Sequence, residues 1–225
     1  MRRTHRILGP VLALPLVLWM VTGLLFHVKH RDAEAYEPIA VPPGGSVDWT
    51  TAGLAPAEVL SRGLADAPLH LAPHPSGRLA YFGASRGNPI AIDAASALPI
   101  APATPQQARL WAAAAIASSA HALRYGELRD AREAKHRSSR TGLENPALAF
   151  DTSHGKTVTV DLVTGEISQT GALNDFIDAT YRIHYLQWTP WKPANVALVL
   201  IAIPLVLGLA LTGLRMSFGV SSSKP

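Results

Sequence analysis

Two long uncharged apolar runs stand at opposite ends of this chain, Ile7 to Phe26 and Val196 to Leu214. Each is about the length needed to cross a bilayer as a helix, because a hydrocarbon core about 30 Å thick takes about 20 residues. Backbone amides in hydrocarbon must be paired within their own segment, so an apolar run without strand-like alternation predicts a spanning helix. Two crossings would leave everything between them on one side of the membrane. That middle, from His27 to about Pro193, exceeds 160 residues and suits one compact domain or two small ones. The 48% apolar content is ordinary for a globular chain but is concentrated in the two end blocks.

Orientation follows from basic residues near the ends of the runs. Arg2, Arg3 and Arg6 precede the first, and Arg215 and Lys224 follow the second, against Lys29, Arg31, Arg182 and Lys192 on the central side. The slight excess predicts both termini in the cytoplasm and an extracytoplasmic middle, in the layout of a two-pass inner-membrane protein. VTGLLFHVKH, at the end of the first run, offers no small-residue cleavage site and reads as an uncleaved anchor. The net charge of +4 belongs to topology and lipid headgroups, since no dense basic stripe or interleaved aromatic array points to nucleic acid. With no cysteine, disulfides, thiolate metal sites and Cys nucleophiles are excluded together.

The middle carries a weak internal repeat of helix, hairpins and strand. The first copy predicts a helix over Ala55 to Ala65, strands at Leu69 to Ala72, Arg78 to Phe82 and Ile90 to Asp93, and a turn at His74 to Gly77. The second predicts a helix over Thr104 to Ala120, with Thr104 as cap, Pro105 in the first turn and Gln107 closing a capping box. Strands Ala147 to Asp151 and Thr157 to Asp161 follow. Each copy ends on an Asp-led turn, Asp93-Ala94-Ala95-Ser96-Ala97 and Asp161-Leu162-Val163-Thr164-Gly165. Asp161 is suited to accept backbone N–H groups two and three residues on, and Gly165 to take positive φ, so Asp161, Thr164 and Gly165 are expected to serve turn structure and not catalysis.

VTVDLVTGEI, preceded by a helix and a hairpin, resembles the closing strand and turn of PepSY domains, and AIDAASALPI resembles a degenerate second copy, with Ser96-Ala97 in place of Thr-Gly. The flanks Arg3-x-His5-Arg6-x-Leu8-Gly9, Tyr181-Arg182-Ile183-His184-Tyr185-Leu186 and Leu211-Thr212-Gly213-Leu214 are similar to transmembrane regions of PepSY-associated membrane proteins. The resemblance implies an α+β fold: two helix-plus-antiparallel-sheet units between two transmembrane helices. It also implies a non-enzymatic extracytoplasmic module that regulates or binds a membrane or periplasmic protein, in one branch within iron uptake or haem-linked reduction. The segments expected are 1–30 for the cytoplasmic N-terminus and first helix, 31–102 and 103–180 for the two units, 181–193 for an interfacial aromatic segment, 194–215 for the second helix and 216–225 for a cytoplasmic tail.

Histidines supply the remaining chemistry. His27 and His30 would share a helix face at the outer surface, and His184 precedes the second run on that side. Two imidazoles from facing helices could ligate a b-type haem; the other reading is an interfacial belt with Tyr181, Tyr185, Trp188 and Trp191. His5 is the one candidate near the cytoplasmic end, so electron transfer across the bilayer would need a second chain or a partner. Gly9 with Ala13 and Gly208 with Thr212 are small residues at four-residue spacing, which favours helix pairing or self-association. No G-x-S-x-G, H-E-x-x-H, Walker A or G-x-G-x-x-G pattern occurs. Asp151, Ser153 and His154 fall in one turn and read as a solvated hairpin; His70, His74 and His154 have no diagnostic metal spacing; Arg129 to Arg140 reads as a solvated loop.

Overall fold

The computed structural model describes residues 16–25, 34–42 and 48–218. In chain order the elements are α1 (Leu16–Leu25), α2 (Pro56–Ser61), β1 (Asp66–Pro73), β2 (Leu79–Ser85), β3 (Asn88–Asp93), α3 (Pro105–Ser118), β4 (Leu128–Arg137), β5 (Glu144–Thr152), β6 (Lys156–Asp161), β7 (Ile167–Gly171), α4 (Ala172–His184) and α5 (Lys192–Phe218). They fall into two compact units, Ala35–Ala172 on one hand and Met1–Glu34 with Leu173–Pro225 on the other.

The unit Ala35–Ala172 is α+β, with two antiparallel sheets ordered β1-β2-β3 and β4-β5-β6-β7. β2 is buried along Leu79–Gly83 because both its faces are covered. Leu79 and Tyr81 join Val59 of α2 in one core, and the Tyr81 hydroxyl donates to the Leu54 carbonyl at 2.7 Å. Ala80 and Phe82, on the opposite face, pack with Ala91 and Val163, and Val163 comes from the second copy. The repeats are therefore joined through the far side of the first sheet. In the second copy, Ala108, Ala112 and Ala115 of α3 are fully buried against Leu148, Phe150, Val158 and Val160. Small side chains at that spacing let the helix approach the sheet closely.

The start of α3 is as its sequence dictates. The Thr104 hydroxyl accepts from Gln107 N–H at 3.3 Å and the Gln107 side chain accepts from Thr104 N–H at 2.9 Å, with Pro105 in the first turn. The expectation of a solvated loop over Arg129–Arg140 is overturned, since Leu128–Arg137 forms edge strand β4 paired to β5. Its charged residues lack apolar alternation because most of the strand faces solvent, and main-chain pairing holds it. Arg109 of α3 donates to the Leu128 and Arg129 carbonyls at 2.7 and 2.9 Å, and cross-strand pairs Arg132–Asp151 (3.3 Å) and Lys135–Glu144 (3.8 Å) add charge matching.

In the other unit one helix among the described residues is long and apolar enough to cross a membrane, Lys192–Gly213 within α5. Its Val196, Leu200, Ile201, Ile203, Leu205, Leu207 and Leu211 are all exposed, each by about half or more. Asn195 fixes its entry, accepting from the Thr189 N–H at 3.0 Å and donating to the Thr189 carbonyl at 2.7 Å. Only Leu16–Leu25 of the first apolar run is described as helix, shorter than a span, so the second expected crossing lies partly outside the described residues.

The two copies end alike to the atom, at an offset of 68 residues. Asp93 Oδ1 accepts from Ala95 and Ser96 N–H at 2.9 Å, as Asp161 Oδ1 accepts from Val163 and Thr164 N–H at 2.8 Å. Ala97 sits at φ +63° and Gly165 at φ +67°. Left-handed backbone costs an alanine about 1–2 kcal/mol. A Cβ on Gly165 would also come within 2.3 Å of Pro75 Cγ. Ala97→Gly should stabilise the protein by about 0.5–1 kcal/mol, and Gly165→Ala should cost about 2 kcal/mol or more. Denaturant midpoints of the two variants in detergent, moving in opposite directions, would check both.

Candidate functional site

Around this joint the unit Ala35–Ala172 has a cavity of about 770 Å³, lined on one side by Pro73, His74 and Pro75 and on the other by His136, Arg140 and Glu166. The β1–β2 turn supplies the first group, and the end of β4 with the β6–β7 turn supplies the second.

Arg140 bridges the copies. Its Nη1 donates to the Pro73 carbonyl at 3.2 Å and the Thr164 carbonyl at 3.1 Å, and its guanidinium lies 4.8 Å from the Phe82 ring centre. One planar cation thus supplies donors to a carbonyl from each copy. Burial lowers the Arg140 pKa, opposed by the charges of Glu166 and Asp161, and the group stays protonated at any ordinary pH.

Glu166 accepts from the Ser138 and Ser139 hydroxyls and from Thr164 Oγ1. Burial alone would raise its pKa, but the two serine hydroxyls and Arg140 outweigh burial and hold the carboxyl below its usual value. Asp161 is fully buried, with Oδ1 on the turn N–H groups and Oδ2 accepting from Asn145 Nδ2 at 2.7 Å. Asp93 follows the same rule: backbone donors Ser96 and Ala95, the Ser96 hydroxyl and Arg78 at 3.3 Å overcome burial and depress its pKa.

His74 is 5% exposed, packed edge-on against Trp111 (5.4 Å) and beside Phe82 (6.2 Å). Nδ1 accepts from Ser76 N–H at 3.1 Å, which leaves the proton of the neutral ring on Nε2. Nε2 has no hydrogen bond of good geometry, although the Val163 carbonyl attracts the ring. Burial first, then Arg140 and Arg78, push its pKa down to about 4. The Ser76 hydroxyl also lies 2.7 Å from Nδ1, but the same nitrogen takes Ser76's own N–H, so the pair is turn chemistry and not a nucleophile with its base.

The sequence-picked residues divide clearly. Asp161, Thr164 and Gly165 meet at the joint as expected for a turn. Asp151, Ser153 and His154 take separate partners: Asp151 accepts from Thr157 at 2.7 Å, Ser153 Oγ accepts from Glu127 N–H at 3.0 Å, and His154 Nδ1 lies 3.1 Å from the Leu123 carbonyl. His74 is buried, away from any surface metal site with exposed His70 and His154. Gly208 meets nothing within 4 Å of a built Cβ, and Thr212 Oγ1 donates to the Gly208 carbonyl at 2.8 Å. Gly9, Ala13, His5, His27 and His30 lie outside the described residues. Arg140 and Glu166 are the additions, and His74 enters as a buried ring where the sequence offered a turn residue; an Arg between Ser139 and Thr141 at the end of a charged stretch gives no pattern to find.

In the helical unit, His184 Nδ1 lies 3.1 Å from Thr22 Oγ1, and its ring stacks on Trp19 (5.2 Å, 8°) and meets Tyr185 edge-on (5.2 Å, 89°). Thr22 Oγ1 is also 2.9 Å from the Leu18 carbonyl. With that carbonyl taking the hydroxyl proton, His184 donates from Nδ1 and its lone pair sits on Nε2. An axial haem imidazole would have its outer nitrogen anchored in the same way. The second ligand would have to be His27 or His30, or come from another chain.

No family model, curated protein or solved structure matches this chain.

The depressed pKa of His74 sets a pH dependence with a definite sign. The folded ring resists a proton that the unfolded chain binds near 6.5, so stability falls as pH drops from 6.5 to 4 and levels off below. A shift of that size corresponds to roughly 3 kcal/mol. In denaturant titrations across this window, His74→Phe should be flatter than the parent chain by that amount.

Proposed function

We propose that this chain is a membrane-anchored, non-catalytic interaction module: two PepSY-like α+β units held outside the cytoplasmic membrane, binding a membrane or periplasmic partner at the cavity between the repeats. The observation that carries this reading is the matched pair of Asp-led turns, whose second member reaches across to the first sheet and builds the cavity wall. Two further features support it. Glu166, Arg140 and His74 at the cavity hold turns together, with no nucleophile and base poised between them among the described residues. α5 presents exposed aliphatic side chains, and each costs about 1.5–3 kcal/mol in water against an apolar environment. Lipid removes that cost. Exposed Tyr185, Trp188 and Trp191 just ahead of α5 are of the type found at a headgroup layer. The slight basic-residue bias supports cytoplasmic termini, and the resemblance to PepSY-associated proteins makes an iron- or haem-related membrane complex the first place to look for the partner.

Topology tests the reading directly. Protease added to spheroplasts should digest the region around Asp161 while intact cells protect it, and the chain should stay with membranes after alkaline carbonate extraction. Protection of Asp161 until the inner membrane is breached would overturn the proposal.

A second reading, a b-type haem electron-transfer subunit, is favoured by the anchored Nδ1 of His184. It predicts sharp Soret and α bands in the dithionite-reduced, detergent-purified protein, lost in His184→Ala and weakened in Thr22→Val. A colourless preparation from haem-replete cells excludes it.

A further inference from the structure

Where β4 ends beside the β6–β7 turn, three side chains of metal-binding type converge. One ring nitrogen of His136, one carboxylate oxygen of Asp161 and one of Glu166 all lie within 4.8 Å of one another. Sheet register explains the meeting. His136 pairs with Asn145 and Asp161 with Ala147, and residues 145 and 147 point to the same face of β5, so the imidazole and the buried carboxylate share one face across an intervening strand.

Both carboxylates are anchored, and Asp161 is not saturated. Ionised, each offers about four lone-pair positions. Asp161 spends three, on Val163 N–H, Thr164 N–H and Asn145 Nδ2. Glu166 takes four, the hydroxyls of Ser138, Ser139 and Thr164 and the Arg140 backbone N–H, so a metal must displace one of them. About one position remains on Asp161. Among the described residues neither has a cationic nitrogen within the 4.0 Å of an ion pair. Arg140 attracts both at longer range, but its Nη1 is spent on carbonyls. Two neighbouring anions, one fully buried and one half-buried, thus lack a direct counter-charge.

We propose that His136, Asp161 and Glu166 form a site for a divalent transition-metal cation of the zinc class, with a further coordination position opening onto the cavity that His136 and Glu166 line. One imidazole with two carboxylates is a borderline donor set that suits zinc better than magnesium or calcium, which take six or more oxygens. Zinc bonds of about 2.0–2.2 Å place ligand atoms about 3.4 Å apart, so the site must contract by about 1.4 Å. Rotation of His136 and Glu166 supplies this while Asp161 stays fixed by the turn. Ser138, Ser139 and Asn145 then act as outer donors that orient the ligands. The inference rests on the cavity reading only for where the open position faces. Metal affinity is measured without any partner, so either can fail without the other.

The full-length chain, free of tags and stripped with chelator in detergent, is titrated calorimetrically with Zn²⁺. A saturable site is expected that His136→Ala and Glu166→Gln each weaken at least about 10-fold, that His154→Ala leaves unchanged and that millimolar Mg²⁺ does not compete for. X-ray absorption of the Zn²⁺-loaded parent chain gives a readout independent of variant folding and should show one imidazole among oxygen ligands. No saturable binding, undiminished binding in both variants, or a shell of two or more imidazoles would overturn the proposal.

Discussion

The buried carboxylate of Asp161 is the interaction on which the rest of the α+β unit depends. Two turn N–H groups and the Asn145 amide converge on it, so the chain reverses tightly enough to place Val163 on the back of the first sheet and Thr164 within reach of Arg140. A charge removed from water is costly unless hydrogen bonds replace its hydration, and here three donors do so at 2.7–2.8 Å. With the turn fixed, the left-handed backbone at Gly165 and the approach of Pro75 follow.

Arg140 and His74 show two ways of treating a basic group at one joint. The guanidinium keeps its charge because it lies between carbonyls and over the Phe82 ring, an arrangement that a planar, weakly hydrated cation tolerates. The imidazole beside it is kept neutral by burial and by that same cation. A single added proton would set like charges against each other at the contact of the repeats. The joint therefore combines a fixed charge with a suppressed one.

Local rules made much of this legible in the sequence. The capping box at Thr104 and Gln107, the Asp-led turns and the strands flanking them are short-range chemistry, written within four or five residues. β4 was not legible, because an edge strand facing solvent carries no alternation and its pairing partner lies elsewhere in the chain. The burial of His74 and the bridging by Arg140 depend on contacts 37 to 67 residues away, which no local pattern encodes. The Thr22–His184 contact is more remote still, at 162 residues. α4 buries Asn174, Ile177 and Thr180 at helical spacing, but two of the three are polar, so no apolar period marks the helix in the sequence.

The exposed strand β4 has one more consequence. Along its length Arg129, Asp130, Arg132, Glu133 and Lys135 alternate in sign on a border where, beyond the Leu128 and Arg129 carbonyls that Arg109 takes, hydrogen-bonding groups are open on one side. Such a border invites a neighbour to add a strand, and like charges brought into register discourage it. The residues that hid this strand from pattern reading are of the type that discourages strand addition at a sheet edge.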